Sequence, residues 1–498
     1  KVEGALALSQ AKEGFIPKEA AEEIASVPFE TLDLEEMEKI KAKVGHGFVP
    51  FVKVLVKACK GEGKKYVHYG VTTQNIQQTG QLYVTYKIHR IFQSYVADIL
   101  DHLGDLAEAH AETVMPGRTH GRHAIPITYG YKVSVWISEL LNAQERLQEC
   151  EKRVFQAMAG GAVGAFNSTG ETGWWVQQRF AKKLGMYSMP VPSRNIFSHK
   201  EEYIMNLALL CNALHKIAEE VYYTGLEEFG EVSEAFQKGT VGSSTMPQKI
   251  NPKLAKGIIA NSQKLYSLVS TGLFTGVRMF EGDSSAYMLY DGMLEEALEL
   301  TTEVLMRAEE LTATLHVNKE RMYQNALLNK GLDNSECVMM KIAEKLGKDR
   351  AHELLYDKAM LAELDGKDYL TVLKEDPVLS DNFTDQELEE MIKPENYTGL
   401  SAFLARRMAK EAKERGCTRA AICMERGAVL AEEKNIIFAI GNAPTALIRL
   451  YELIKEGKLK PALIIGAPVG FVNVVESKEL IMEAGVPFIV PKGRKGGS

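Results

Sequence analysis

The chain has 498 residues, 45% hydrophobic and 25% charged, the profile of a soluble globular protein with room for two or more domains. A net charge of −7 at pH 7, from 59 basic and 66 acidic side chains, offers no basic face and argues against nucleic acid as a partner. No apolar run reaches a membrane span, and the six cysteines (Cys59, Cys150, Cys211, Cys337, Cys417, Cys423) lack metal-ligand spacing and suit a reducing cytoplasm.

Lys1 to Leu8 has no signal-peptide pattern and reads as the interior of a helix, as though a segment preceded it. Residues 1–80 then read as short helices and loops, with Pro17 close to a helix start. From about Gln81 to Glu112 apolar residues recur at three and four (Val84, Ile88, Ile91, Phe92, Tyr95, Ile99, Leu103, Leu106), and Gly104 is a mild cost inside that pattern. Further long amphipathic patterns run over Ile127–Met158, Lys200–Phe229, Lys253–Leu273 and Ala286–Leu315. Five helices of this length suggest a bundle whose members bury more than one face, which favours association between subunits. Residues 320–400 return to shorter helices, with turns at Asp333-Asn334 and Asp376-Pro377. The pattern changes near Arg406–Gly416. Strand runs at 435–441, 462–466 and 487–490 alternate with helices at Pro444–Glu456 and Val474–Ala484, an order that implies parallel strands with right-handed crossovers. The expected class is therefore mainly α, a long-helix bundle with a C-terminal partial α/β unit. Its expected domains are 1–80, 81–320, 321–405 and 406–498.

Between two of the long helices lies a polar loop, from Gly239 to Pro252. It supplies hydroxyls, Lys249, the Asn251 amide and free backbone N–H groups within a short span, equipment that can wrap a carboxylate and present a small oxygen base to it. By composition alone it reads equally as a connector. Two more polar stretches, His68 to Asn75 and Gly117 to Ala124, stand at helix ends. Taken singly, each His reads as a structural or surface residue; three polar patches at three helix ends fit one composite site.

Gly242-Ser243-Ser244-Thr245-Met246-Pro247-Gln248-Lys249-Ile250-Asn251-Pro252 resembles the signature loop of the fumarase/aspartase superfamily. That family includes fumarase, aspartase, argininosuccinate lyase, adenylosuccinate lyase and carboxymuconate cycloisomerase. The patterns Val67-His68-Tyr69-Gly70 and Gly117-Arg118-Thr119-His120-Gly121-Arg122-His123-Ala124 are most similar to adenylosuccinate lyases, over about residues 1–400. The resemblance implies a lid whose Ser243 takes a proton from the carbon beside a carboxylate held by Lys249 and Asn251. It implies His120 as the acid that protonates the leaving group, with His68 binding substrate or orienting His120. Thr72, Thr73, Arg118, Thr119, Ser244 and Met246 complete the substrate contacts. The resemblance further implies that the three regions converge from three subunits of a cytoplasmic homotetramer, that the substrate is a small carboxylate, and that no cofactor or metal is required.

The chemistry follows from the groups. β-Elimination removes a proton from a very weak carbon acid, and the adjacent carboxylate becomes an aci-carboxylate with two negative charges. Backbone N–H groups, Lys249, Asn251 and the hydroxyls of Thr72, Thr73 and Thr119 are suited to stabilise that charge before the proton moves. A Ser hydroxyl is a poor base unless its anion is strongly stabilised, and a lid that excludes water helps.

Some positions depart from adenylosuccinate lyases. Lys256 stands where they usually carry Glu, Glu281-Gly282-Asp283 replaces a Glu-Arg-Asp stretch, and Asp291 or a neighbour stands near a later Arg. Arg122 replaces a Gln, and Gln74-Asn75 replaces x-Asp. The reading is a lyase of adenylosuccinate-lyase type acting on a succinyl-like or other polycarboxylate. A 3-carboxy-cis,cis-muconate cycloisomerase on the same bundle is the alternative, and a non-catalytic helical scaffold is the reading from another class.

Phe438 to Leu447, Pro468 to Val472, Glu476 to Glu479 and Gly493 to Ser498 resemble, in order, precorrin-8X methylmutase of cobalamin synthesis. Asn442 and the helix from Pro444 form an anion-favouring helix N-terminus, and Gly470 and the Gly-rich end are loops at strand ends. Asn442, Thr445 and Arg494 are the expected weak ligand contacts. The match covers the later part of that enzyme, without the half that holds its catalytic His, and stops before an expected final helix. No His follows His352. The tail is therefore expected to be inactive.

Overall fold

The computed structural model describes residues 1–235, 245–246, 249–282, 284–416, 424, 427–428, 431, 435–441, 444–468 and 474–493. The chain forms two compact units, one from residues 1–93, 142–223 and 236–311, the other from residues 94–141, 224–235 and 312–498.

The first unit opens with four helices, Val2–Lys12, Lys18–Ser26, Leu34–Val44 and Val49–Ala58. Ala7, Ile16, Ala21, Ile24 and Cys59 form a small core there. Gly4 permits the first two helices to touch, since a Cβ on it would lie 2.8 Å from the Ala25 Cα. The long helices are Thr73–Ala109, Tyr129–Val154, Ser198–Thr224, Leu254–Thr275 and Met293–Thr314, all but Leu254–Thr275 running from one unit into the other. The Thr73 helix begins eight residues before the expected start at Gln81. Its first turns carry Asn75, Gln78 and Thr79, all fully buried. Thr79 Oγ1 accepts from the Met158 N–H at 3.1 Å, so these polar side chains face protein and not water. The expected helix over Ala286–Leu315 is two helices, Ser284–Tyr290 and Met293–Thr314. Gly292 between them has φ 80°, a left-handed position that ends a helix.

In the second unit the stretch Val114–Thr128 is an antiparallel hairpin, Val114–Thr119 with Arg122–Thr128, where a polar stretch and, from Ile127, a helix start were expected. A bulge falls at Gly117, whose added Cβ would lie 2.3 Å from the Ile125 carbonyl oxygen. The helix Ser401–Gly416 buries Ala405, Ala409 and Ala412. Gly104 receives it: a Cβ there would lie 3.2 Å from Ala409 O, so the glycine serves a close helix crossing. Gly130 is tighter still, with Ala107 O at 2.5 Å and Ala111 Cα at 2.8 Å from the built Cβ. Gly130→Ala is expected to overpack this junction and cost about 1–3 kcal/mol, read as a lowered urea midpoint. Helices Ser335–Leu346 and Lys348–Asp365 close a separate core around Val338, Ile342, Leu355 and Leu373.

The tail carries a three-stranded parallel sheet, Ile437–Ile440, Leu463–Gly466 and Phe488–Ile489 in that order. Its helices Pro444–Lys455 and Val474–Met482 pack on Phe438, Ile440 and Ile464. The architecture is therefore mainly α, a long-helix bundle with a small C-terminal α/β unit. No described helix is long and apolar enough to cross a membrane.

Candidate active site

Three polar stretches carry the expected chemistry, and each has its own local frame. The first is the loop ahead of the Thr73 helix. His68 sits there with φ 59°, and its Nδ1 lies 2.7 Å from Oε1 of Glu3, which is 4% exposed. A buried carboxylate on Nδ1 fixes the tautomer and leaves Nε2 as the working nitrogen. The Phe48 ring lies 5.5 Å from the imidazole. Thr72 and Thr73 are half-buried at the start of the helix. Asn75 Oδ1 accepts from the Thr72 N–H at 3.1 Å and from the Gly161 N–H at 3.0 Å, tying the loop to a second one.

The second stretch is the hairpin tip. Thr119 pairs with Arg122, so His120-Gly121 is a two-residue turn, with φ 53° and 73°. Two positive φ values define the turn that matches strand twist. Thr119, His120 and Arg122 are exposed, so the turn projects the imidazole away from the hairpin. Arg118, one residue earlier, is held inward: Nη1 and Nη2 donate to the two carboxylate oxygens of Glu231 at 3.0 and 2.5 Å. Its Cζ lies 5.2 Å from the Phe229 ring centroid, and Asn325 Nδ2 donates to Glu231 Oε1 at 2.8 Å. His123 Nδ1 lies 3.6 Å from Asp333 Oδ2. Burial pushes the Asp333 carboxyl above its ordinary range, with Asn329 and His123 pulling against it.

The third stretch is the signature loop. Ser243 and Ser244 lie outside the described residues. Met246 and Lys249 are exposed, and Asn251 is half-buried. The Lys249 N–H donates to Met246 O at 3.0 Å, a turn that precedes the helix Leu254–Thr275. Lys256 is exposed on that helix. In the tail, Thr445 is half-buried in the first turn of the Pro444 helix, while Asn442 and Arg494 lie outside the described residues.

Residues 1–264 match the family model described as Lyase, and residues 331–408 match the adenylosuccinate lyase C-terminus. The chain belongs to the fumarase/aspartase superfamily of lyases. An adenylosuccinate lyase of Methanocaldococcus jannaschii is 34% identical over 421 residues, spanning 83% of this chain and 91% of that protein. The N-acetyl-S-(2-succino)cysteine lyase of Dickeya dadantii is 32% identical over 402 residues, spanning 80% of this chain and 88% of that protein. Among solved structures, 3-carboxy-cis,cis-muconate lactonizing enzyme from Pseudomonas putida superposes with a TM-score of 0.76 at 27% identity, covering 83% of this chain and 93% of that one. Residues 387–498 match the precorrin-8X methylmutase model, so this fumarase/aspartase lyase carries a segment of a second family at its end.

Within the lyase, Glu3, Glu231 and Asp333 are partners of the motif residues that sequence reasoning missed. Only Glu3 left a trace, as a charged residue inside the apolar run Val2-Glu3-Gly4-Ala5-Leu6. Glu231 and Asp333 lie 113 and 210 residues beyond Arg118 and His123, so no local pattern announces them.

Proposed function

We propose that this lyase breaks a C–N or C–S bond β to a carboxylate in an N- or S-succinyl substrate and releases fumarate. Ser243 removes the proton, Lys249, Asn251, Thr72, Thr73 and Thr119 hold the aci-carboxylate, and His120 protonates the leaving group. Glu3 keeps His68 in one tautomer against the substrate. The observation that carries the reading is the backbone of the two histidines. Among the described residues five non-glycines have positive φ, and His68 and His120 are two of them. Left-handed non-glycine residues persist where surrounding structure over-determines them, and they cluster at functional sites. The named relatives supply the substrate class, since one acts on adenylosuccinate and another on a succinylated cysteine. Incubation with both succinyl compounds, followed by ultraviolet absorbance of the new conjugated double bond, tests the reading. The likeness to a muconate-lactonizing enzyme favours a second reading, cycloisomerisation, and 3-carboxy-cis,cis-muconate belongs in the same assay.

We also propose that the three stretches complete one another between subunits of a homotetramer. Val84, Ile91, Leu209, Tyr223, Leu273 and Met306 on the long helices are each between 47% and 58% exposed. Exposed apolar side chains on long helices are suited to burial between subunits. A mixture of His68→Ala and Ser243→Ala chains is expected to recover part of the activity that each lacks, because hybrid sites combine intact halves. A monomer by light scattering, or no recovery after subunit exchange, removes this model.

The tail is proposed to be inactive as a methylmutase. Parallel sheets are ordinarily covered on both faces. Here the helices cover one face, while Ile437 and Ile489 are each 58% exposed on the other. Deleting residues 416–498 is expected to leave lyase turnover unchanged and to raise solubility. Loss of lyase activity on deletion, or rearrangement of a precorrin by the full chain, contradicts that.

A further inference from the structure

Among the described residues Arg194 is fixed by uncharged acceptors. Its Nε donates to Gln74 Oε1 at 2.8 Å and its Nη1 donates to Ala162 O at 3.2 Å. Both acceptors are uncharged. By contrast, Arg118, Arg153, Arg179 and Arg307 each meet a carboxylate. Arg194 has no ion-pair partner among the described residues. A guanidinium carries five N–H donors, and two are used here. Those left lie on the Nη edge, the geometry for end-on bidentate pairing with a planar anion.

Its guanidinium lies beside a glycine. A Cβ built on Gly282 would lie 3.4 Å from Cζ and Nε of Arg194 and 3.5 Å from Nη2. Those are ordinary van der Waals distances, so the guanidinium packs directly beside Gly282. The loop that carries it is docked on this segment from both sides. Asn195 Nδ2 donates to Phe280 O, and Arg278 stacks on Phe197 with Cζ 3.3 Å from the ring centroid. Phe197 is 1% exposed, an anchor for the loop. On the other side Gln74 is the neighbour of Thr73, and Asn75 binds both the Thr72 loop and Gly161. Arg194 is thus tied to the first turn of the helix that Thr73 opens.

We propose that Arg194 is the specificity-determining cation of this lyase, binding an anionic group of the substrate remote from the bond that breaks. The inference rests on the assignment of Thr72 and Thr73 to the reacting carboxylate. A half-buried cation held by two neutral oxygens is a receptor assembled before its ligand arrives, so little reorganisation is needed on binding. The shared chemistry of the ligand is an oxyanion with two accessible oxygens, supplied by a carboxylate or by a phosphate monoester.

The test is calorimetric and uses the full chain with two matched probe pairs, N-acetylcysteine against its primary amide and AMP against adenosine. One charged probe is expected to bind about 10–100-fold more tightly than its neutral counterpart, the range for a charge-assisted bidentate contact. Which pair shows the difference identifies carboxylate or phosphate. Arg194→Gln should erase the difference, Arg194→Lys should keep part of it, and Gly282→Arg added to Arg194→Gln should restore it from the other side of the same space. Equal binding of charged and neutral probes by the unaltered chain overturns the proposal, and so does a preference that survives in Arg194→Gln. Binding needs no turnover, so a failure of the elimination reading shows separately, as absence of fumarate from both succinyl compounds.

Discussion

Ser243→Ala is expected to lower kcat by about 10²–10⁴-fold, the range for removing a group that transfers a proton in the transition state. Substrate affinity should change little, because the hydroxyl is proposed to act on the carbon acid and not to hold the ground state. Lys249 and Asn251, which are assigned to the carboxylate, remain in the variant. His120→Ala should fall as far on a poor leaving group such as an amine and less on a better one such as a thiolate, since a thiolate departs with less need of a proton. The measurements are kcat from the ultraviolet signal and Kd from calorimetry on the same preparations. Near-normal kcat in Ser243→Ala would remove the base assignment. A parallel rise in Kd would instead make the Ser a binding group.

Much of the fold was legible because long helices write their period into the sequence. The helix expected over Lys253–Leu273 and the strands at 437–440, 463–466 and 488–489 were read within a few residues of their observed limits. The failures share a cause. The first turns of the Thr73 helix were left outside the helical pattern because Asn75, Gln78 and Thr79 are polar, yet all three are fully buried, and Asn75 and Thr79 serve backbone groups of another segment. The hairpin was not foreseen: Gly117–Ala124 was read as a polar stretch and Ile127 as a helix start, while Pro116, Gly117 and Pro126 mask the strand pattern; Gly117 is a bulge, and short two-stranded sheets tolerate proline at unpaired edges. The break at Gly292 was missed because apolar spacing continues on both sides of it.

The site divides in the same way. His68, Thr72, Thr73, His120 and Lys249 were named as candidates by motif, because motif residues are contiguous. Their supports were not, because Glu3, Glu231 and Asp333 come from distant parts of the chain. The positive φ of His68 and His120 was also hidden, although Gly70 and Gly121, themselves at φ 71° and 73°, hinted at left-handed turns beside both. Arg118 shows why a motif residue needs its surroundings. Sequence alone placed it among substrate contacts, and its guanidinium is directed at a carboxylate of its own chain.

That carboxylate sets the second large effect. Glu231→Ala is expected to destabilise the chain by about 3–5 kcal/mol, the range for removing one member of a buried ion pair. Glu231 is fully buried and accepts from both Nη atoms of Arg118 and from Asn325 Nδ2. The Arg118 side chain is 17% exposed, so water replaces little of what is lost. Its charge would be left against the Phe229 ring with no acceptor in place. The pair Arg153–Glu202 makes the contrast: its side chains are 57% and 30% exposed, and Glu202→Ala should cost about 1 kcal/mol or less. Because Arg118 is one strand residue away from the His120 turn, Glu231→Ala should also lower kcat while the double variant Arg118→Met/Glu231→Leu recovers stability without recovering kcat. Urea unfolding of the three variants decides the first point and steady-state rates decide the second. If Glu231→Ala unfolds at the same urea concentration as the unaltered chain, the pair does not anchor the hairpin, and the projection of His120 must be held by the turn alone.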